Sequence, residues 1–159
     1  MALAMVASVG CPDIRGFFMA TIELRNDSGV DLTVTPVGTA EGGRSFRPLP
    51  RYELSGADIS VSRHPTRIFI AAGTSISYTY DTDDYNFRLL VVRPEKGQPR
   101  VLLTDFKDAL AQQCCYGPQQ EVYAVPELRT LPAVPPDLLA VESGKLVRPE
   151  VAASLYPKP

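Results

Sequence analysis

The chain has 159 residues, of which 45% are apolar and 21% are charged, and its formal net charge is −2. This length and composition suit one domain with a sizeable hydrophobic core. A small net charge without any Lys/Arg-rich run predicts no nucleic-acid binding, and contact with a membrane only through a lipid anchor. The 15 prolines exclude a helical bundle, because proline interrupts helices.

The first ten residues, Met1 to Gly10, form an uncharged run that ends at Cys11. The run is too short to cross a bilayer as a helix, which needs about 20 apolar residues, but it matches the apolar part of a secretory signal. The alternative is a flexible, loosely docked N-terminus of a cytosolic protein. Residues 1–16 are therefore set apart from the domain.

The sequence Ser8-Val9-Gly10-Cys11 resembles the lipobox of bacterial lipoproteins, in which small residues precede a cysteine that becomes acylated. Ser8 stands where the family pattern has Leu or a similar apolar residue. The resemblance covers four residues and implies that Cys11 is the site of lipidation. Two or more acyl chains at such a site would anchor the protein durably in a membrane.

Two segments with alternating polar and apolar residues predict strands at 21–25 and 30–35. Between them, residues 26–29 read Asn-Asp-Ser-Gly, a composition typical of hairpin turns. We therefore expect a hairpin whose second strand ends at Pro36, because proline cannot donate a backbone hydrogen bond. The apolar side chains expected to share one core face are Ile22, Leu24, Val30, Leu32 and Val34.

Shorter segments predict further strands at 59–61, 67–70, 75–80, 87–92, 101–103 and 121–125, and one short helix at 105–113. The run at 87–92 is apolar apart from Arg88, which is typical of a central, fully buried strand. Residues 39–50 are rich in Gly and Pro, which predicts an irregular connection. Seven or eight strands without a repeating βα unit predict an all-β domain over residues 17–125, an antiparallel β-sandwich or related barrel.

From Pro126 onward the composition changes, and prolines punctuate residues 126–159. This predicts an extended Pro-rich C-terminal tail, strapped along the domain through Leu138, Leu139 and Val141. Such a tail is the predicted place for a protein partner or for self-association. Two buried leucines barely offset the ordering of about ten residues, so we expect marginal docking, and a chain that still folds without residues 136–159.

The carboxylates of Asp81, Asp83 and Asp84 are the candidate metal ligands, since Ca²⁺ prefers oxygen ligands. Their spacing does not follow the EF-hand pattern, and a solvated turn between strands is the simpler interpretation. The single histidine, His64, has no accompanying nucleophile motif and is interpreted as a loop residue. The sequence therefore predicts no catalytic residue and no cofactor.

Two neighbouring cysteines, Cys114 and Cys115, allow three interpretations. A disulfide between them would be strained, because consecutive Cα atoms are about 3.8 Å apart whereas disulfides normally span about 4.4–6.8 Å. Such a bond could act as a redox switch or as a rigid turn. Alternatively, both are small apolar side chains, or one of them pairs with Cys11, which would exclude lipidation.

These observations favour a non-enzymatic extracytoplasmic β domain of the cell envelope or periplasm, lipid-anchored, with a structural or binding role. The alternative is a cytosolic or phage-type β-sandwich assembly subunit whose tail reaches a neighbouring copy. An enzyme that uses the carboxylates of Asp81 to Asp84 ranks below both.

Overall fold

The computed structural model describes residues 19–40, 45–55, 58–62, 67–81, 85–104 and 120–156. These residues form ten β-strands and three short 3₁₀ helices, which confirms the all-β prediction. The predicted helix at 105–113 lies outside the described residues. The strands are β1 (Met19–Asn26), β2 (Leu32–Ala40), β3 (Ser45–Pro48), β4 (Arg51–Ser55), β5 (Asp58–Ser62), β6 (Ile68–Ile70), β7 (Ser75–Asp81), β8 (Tyr85–Pro94), β9 (Arg100–Leu103) and β10 (Gln120–Val125).

The strands belong to two main sheets and one hairpin. Sheet A has the order β10-β1-β7, with β1 parallel to β10 and antiparallel to β7. Sheet B has the order β3-β2-β8-β9, and β6 also pairs with β2, beside its first residues. β4 and β5 pair with each other as a separate antiparallel hairpin. Residues 45–48, expected to be irregular, thus form the strand β3 of sheet B.

The predicted hairpin of the first two strands is wrong, because β1 and β2 lie in different sheets. The connection between them passes from sheet A to sheet B, so the two strands share a core through their side chains instead of a backbone ladder. Four of the five expected core residues, Ile22, Leu24, Leu32 and Val34, are buried in one cluster. The fifth, Val30, is 46% exposed in the connection.

Pro36 does not end the second strand, since β2 continues to Ala40. The carbonyl of Pro36 accepts a hydrogen bond from the backbone N–H of Leu49, on the side of β2 away from β8. In a strand the N–H and C=O groups of one residue point to the same side. The missing N–H of Pro36 therefore faces the gap between β6 and β3, and the ladder with β8 loses no bond.

The prediction of a central strand at 87–92 is confirmed by β8, which lies between β2 and β9. Phe87, Leu90 and Val92 face the core shared with sheet A, while Leu89 and Val91 face the opposite side of sheet B. The register shifts opposite the step from Val37 to Gly38, so that Arg88 is an extra residue of the bulge type. The bulge explains why Phe87 and Leu90, three residues apart, reach the same core.

The first core lies between the inner faces of sheets A and B. Both sheets contribute large side chains that are nearly or fully inaccessible to solvent. Sheet A supplies Ile22, Leu24, Tyr78, Tyr80 and Val125, and sheet B supplies Leu32, Val34, Ile70, Phe87, Leu90 and Val92.

The second core lies on the outer face of sheet B, beneath residues 132–156, which we call the strap. The strap contains the 3₁₀ helices Pro136–Ser143 and Pro149–Leu155, and a third, Leu128–Thr130, precedes it. Its buried residues Val134, Leu138, Val141, Val147 and Ala152 pack on Val37, Phe46, Leu89, Val91 and Val101 of the sheet.

The strap also pairs with both edges of sheet B. At the β9 edge, the N–H of Val101 donates to the carbonyl of Pro132 at 3.0 Å, in the bridge between Arg100 and Ala133. At the β3 edge, the N–H of Phe46 donates to the carbonyl of Val147 at 2.7 Å. The strap therefore crosses the whole outer face and covers two edges that would otherwise expose unpaired backbone groups.

The expected docking of the tail through Leu138 and Val141 agrees with their complete burial, and Leu139 is half-buried. The energetic expectation changes, however. Marginal docking is expected if only two leucines are buried. The structure instead buries five strap residues in a core and pairs the strap with both edges of the sheet. Removal of residues 136–159 is now expected to expose the second core and to destabilise the domain.

Candidate functional site

Four connections meet at one end of the domain, which we call the loop end: residues 27–31, 71–74, 95–99 and 126–131. Backbone hydrogen bonds hold the first two of them at the end of sheet A. The N–H of Asp27 donates to the carbonyl of Val125, and the N–H of Asn26 donates to that of Thr74, each at 2.9 Å. Because Val125 belongs to β10 and Asn26 to β1, these bonds tie the 27–31 and 71–74 connections to sheet A as a fixed frame.

Asn26 is the central residue of this frame, and it is completely buried. Its Nδ2 donates to the carbonyls of Val30 at 2.8 Å and Ile70 at 3.0 Å. Its Oδ1 accepts from the backbone N–H and the hydroxyl of Ser28, at 3.1 and 2.7 Å. All four hydrogen-bonding positions of the carboxamide are thus used. Its burial therefore leaves no polar group unpaired.

A second interaction fixes the neighbouring turn. The carboxylate of Asp31 accepts a hydrogen bond from the N–H of Ala72 at 2.9 Å. The next residue, Gly73, has a φ of 72°, a conformation that glycine adopts without the strain of a side chain. Its N–H donates to the carbonyl of Asn26 at 2.9 Å. The 71–74 turn is therefore held by Asn26 at the end of β1 and by Asp31 just before β2.

An open cleft of about 490 Å³ lies at the loop end, between these connections. Its apolar walls are Val30, Ala72, Pro94 and Leu128, and its charged groups are Asp31, Glu95 and Lys96. Val30 remains 46% exposed there. Apolar walls with a few fixed polar groups are the usual composition of a binding site.

A buried ion-pair cluster, which we call the strap anchor, joins the strap to sheet B. The side chain of Glu142 is only 4% exposed. One of its oxygens accepts from Nη2 of Arg93 at 2.6 Å and of Arg67 at 3.4 Å, and the other accepts from the hydroxyl of Thr35 at 3.4 Å. Two guanidinium groups on the sheet thus hold one carboxylate of the strap.

An aromatic ring is exposed beside the strap anchor. Phe69 of β6 is 63% exposed, and it pairs across the strands with Thr33, which in turn pairs with Arg93. Arg67, two residues before Phe69 on the same side of β6, is itself half exposed. This places an exposed apolar ring in the same cross-strand row as Arg93, on the outer face of sheet B.

Tyr80 has the largest shift in acidity among the described residues. Burial, and secondarily the charge of Glu121, raise the pKa of Tyr80 to about 12. Its ring lies 6.2 Å from that of Phe87, which makes an edge contact with Tyr123 at 5.1 Å. Tyr80 therefore stays protonated at neutral pH and acts as part of the aromatic core.

The sequence-predicted site residues are mostly beyond what the structure covers. Asp81 is the last residue of β7, paired in register with Met19 and half-buried. In the described ranges, no three His, Cys, Asp or Glu side chains are placed to hold a metal ion together. The remaining candidates, Cys11, His64, Asp83, Asp84, Cys114 and Cys115, lie outside the described residues.

Sequence reasoning missed the role of Asn26 and the strap anchor. The local sequence indicates Asn26 as a turn residue, whereas the burial of its side chain depends on Ile70, far along the chain. Glu142 lies in a Pro-rich segment whose sequence does not predict its burial. No local pattern indicates that Arg67 and Arg93 converge on it.

Comparison of the chain with protein-family models, with curated proteins and with solved structures finds no match. In the part of the chain that the structure covers, no helix is both long enough and apolar enough to span a membrane.

Proposed function

We propose that the protein is a non-enzymatic binding domain whose recognition surface is the loop end. The observation that supports this is the convergence of four connections on one open cleft, where Asn26 holds the 27–31 and 71–74 connections together. Binding residues are commonly carried on loops that a rigid β scaffold positions. The mixture of apolar walls with Asp31, Glu95 and Lys96 suits a partner that offers both apolar and charged groups.

We further propose that this domain works in the cell envelope, held there by lipid at Cys11. The support comes from the sequence alone, from the apolar run before Cys11 and its resemblance to a lipobox. A lipid anchor would keep a binding domain at a membrane surface without any transmembrane helix.

Site-specific photo-crosslinking in the native cells tests the loop end. A photoreactive amino acid replaces Val30, which is 46% exposed in the cleft, or Val122, which is 52% exposed on β10 and serves as the matched control. We expect a discrete crosslinked protein, identified by mass spectrometry, from position 30 and not from position 122. Equal products from both positions, or none from position 30, would contradict the binding function.

Intact-mass analysis of the detergent-extracted protein tests the lipid anchor at Cys11 separately. We expect the mass of two or more acyl chains on Cys11, and its loss together with membrane association in a Cys11→Ser variant. An unmodified Cys11, or a disulfide from Cys11 to Cys114 or Cys115, would rule out the lipid anchor. Neither result would contradict the proposed binding function of the loop end.

A second candidate function is that of an assembly subunit, cytosolic or phage-type. The strap supports it, because a single segment covers a whole sheet face and two sheet edges. A neighbouring copy could supply that segment as well as the same chain does.

A further inference from the structure

We infer that the strap is exchangeable between two copies of the protein, so that the strap of each copy seats on the outer face of sheet B of the other. This inference rests on the second candidate function, the assembly subunit. It names the partner as a second copy of this chain and the docking surface as the face that the strap covers.

The strap is a separable unit of the fold. It follows all ten described strands in chain order and supplies no strand to either sheet. Its backbone pairs with sheet B only through isolated bridges, Ala133 with Arg100 and Val147 with Phe46. Within the described residues, the strap can therefore leave the sheet without the removal of any strand from a ladder.

The face beneath the strap requires a cover. Val37, Leu89, Val91 and Val101 are completely buried there, although they lie on the outer side of the sheet. If the strap left without replacement, these side chains would form a contiguous apolar surface in water, which soluble domains rarely expose. Replacement by another strap is thus strongly favoured over simple opening.

The strap anchor selects what the replacement must be. Arg67 and Arg93 stay with the sheet, whereas the carboxylate of Glu142 leaves with the strap. A replacement must bring apolar residues for the face together with one carboxylate at the position of the two guanidinium groups. The strap of a second copy carries both in the correct spacing, because it makes the same contacts that the chain's own strap makes.

The strap makes the same contacts within one chain and between two chains. The equilibrium between the monomer and the strap-exchanged dimer therefore depends on protein concentration and on residues 126–131, which join the strap to β10. Exchange of an identical element between two copies gives a closed dimer with twofold symmetry. The dimer would hold two complete copies of the second core.

An engineered disulfide reports which chain supplies the strap. Arg100 and Ala133 face each other in a bridge of the non-hydrogen-bonded kind, because the bonds run between their neighbours, from Val101 to Pro132 and from Val134 to Pro99. Their Cα atoms are therefore about 4.5 Å apart, within reach of a disulfide. The variant Arg100→Cys/Ala133→Cys of the full chain is refolded and oxidised at a series of protein concentrations.

We expect a covalent dimer whose fraction rises with the protein concentration during refolding, with the 100–133 disulfide between chains confirmed by peptide mapping. The single variants Arg100→Cys and Ala133→Cys control for disulfides that involve the native cysteines. Size-exclusion chromatography with light scattering on the unmodified protein should show a dimer that dissociates slowly on dilution, which also covers the case in which the variant misfolds.

Two results overturn the inference and differ in what else they affect. A dimer of the unmodified protein in which the 100–133 disulfide stays within each chain rules out strap exchange but leaves the assembly function. A protein that is monomeric at every concentration rules out both.

Discussion

The side-chain amide of Asn26, in sheet A, donates a hydrogen bond of 3.0 Å to the backbone carbonyl of Ile70, in sheet B. The same Nδ2 also donates to the carbonyl of Val30, within the 27–31 connection between the sheets. One buried carboxamide thus joins two sheets that share no backbone ladder at this point.

Replacement of Asn26 by Ala should lower the free energy of unfolding by about 1–3 kcal/mol, because the buried carbonyl of Ile70 loses its partner. The matched control is Gln98→Ala in the exposed 95–99 turn, for which a change within about 0.5 kcal/mol is expected. Urea unfolding measures both. Equal losses in the two variants would show that the Asn26 amide does not join the sheets.

Replacement of Glu142 by Ala should destabilise the protein by about 2–3 kcal/mol, since it leaves two guanidinium groups without their carboxylate. This is less than the roughly 3–5 kcal/mol typical of a fully buried pair, because Arg67 and Arg93 retain contact with water. Glu150→Ala, at an exposed position of the strap, is the control and should be nearly neutral. Hydrogen exchange should rise in the strap and along β3 and β9 in the Glu142 variant alone. Unchanged hydrogen exchange in these segments would contradict the role of the strap anchor.

Leu138→Ala tests the second core directly. Leu138 is completely buried beneath the strap, so the loss should be about 2–5 kcal/mol, as for buried leucines in general. Leu146, which is 64% exposed in the same segment, supplies the control variant Leu146→Ala. Thermal or urea unfolding distinguishes them. A loss below about 1 kcal/mol for Leu138→Ala would mean that the strap adds little to the stability of the domain.

Alkaline titration should reveal Tyr80 as a tyrosine with a pKa of about 12, above the ordinary value of 10.0. A raised pKa in the folded state means that the unfolded protein loses this proton first. Stability is therefore unaffected by Tyr80 below pH of about 10 and falls as the pH rises from there through about 12. The ultraviolet absorbance of tyrosinate measures the titration, and Tyr80→Phe should remove that step. If Tyr80→Phe instead removes a step near 10, the burial of the Tyr80 hydroxyl is contradicted.

Alternation of polar and apolar residues was enough to predict which side chains of β1 and β2 enter the core, but not how the strands connect. Ile22 and Leu32 are buried whether their strands pair as a hairpin or face each other from two sheets. The Asn-Asp-Ser-Gly sequence is compatible with either connection. The difference lies in long-range pairing, of β1 with β7 and β10 and of β2 with β6 and β8, which no local pattern encodes.

The strap was recognisable as a docking segment from Leu138 and Val141, whereas its full contact with the sheet was not. The area of that contact depends on Leu89 and Val91, on the outer face of sheet B. The apolar run predicts that both are buried, but it does not indicate which segment covers them. The convergence of Arg93 and Glu142 is likewise a product of tertiary packing. The loop end was unpredictable because it gathers turns from four separate parts of the chain.

The bridge between Phe46 and Val147 has a consequence for biosynthesis. On the ribosome, β3 and the apolar outer face of sheet B must wait until the strap emerges, although most of their other partners are made earlier. During that interval Leu89, Val91 and Val101 are exposed and able to associate with the same surface on a neighbouring nascent chain. Translation rate and chaperone capture are therefore expected to influence the yield of this protein.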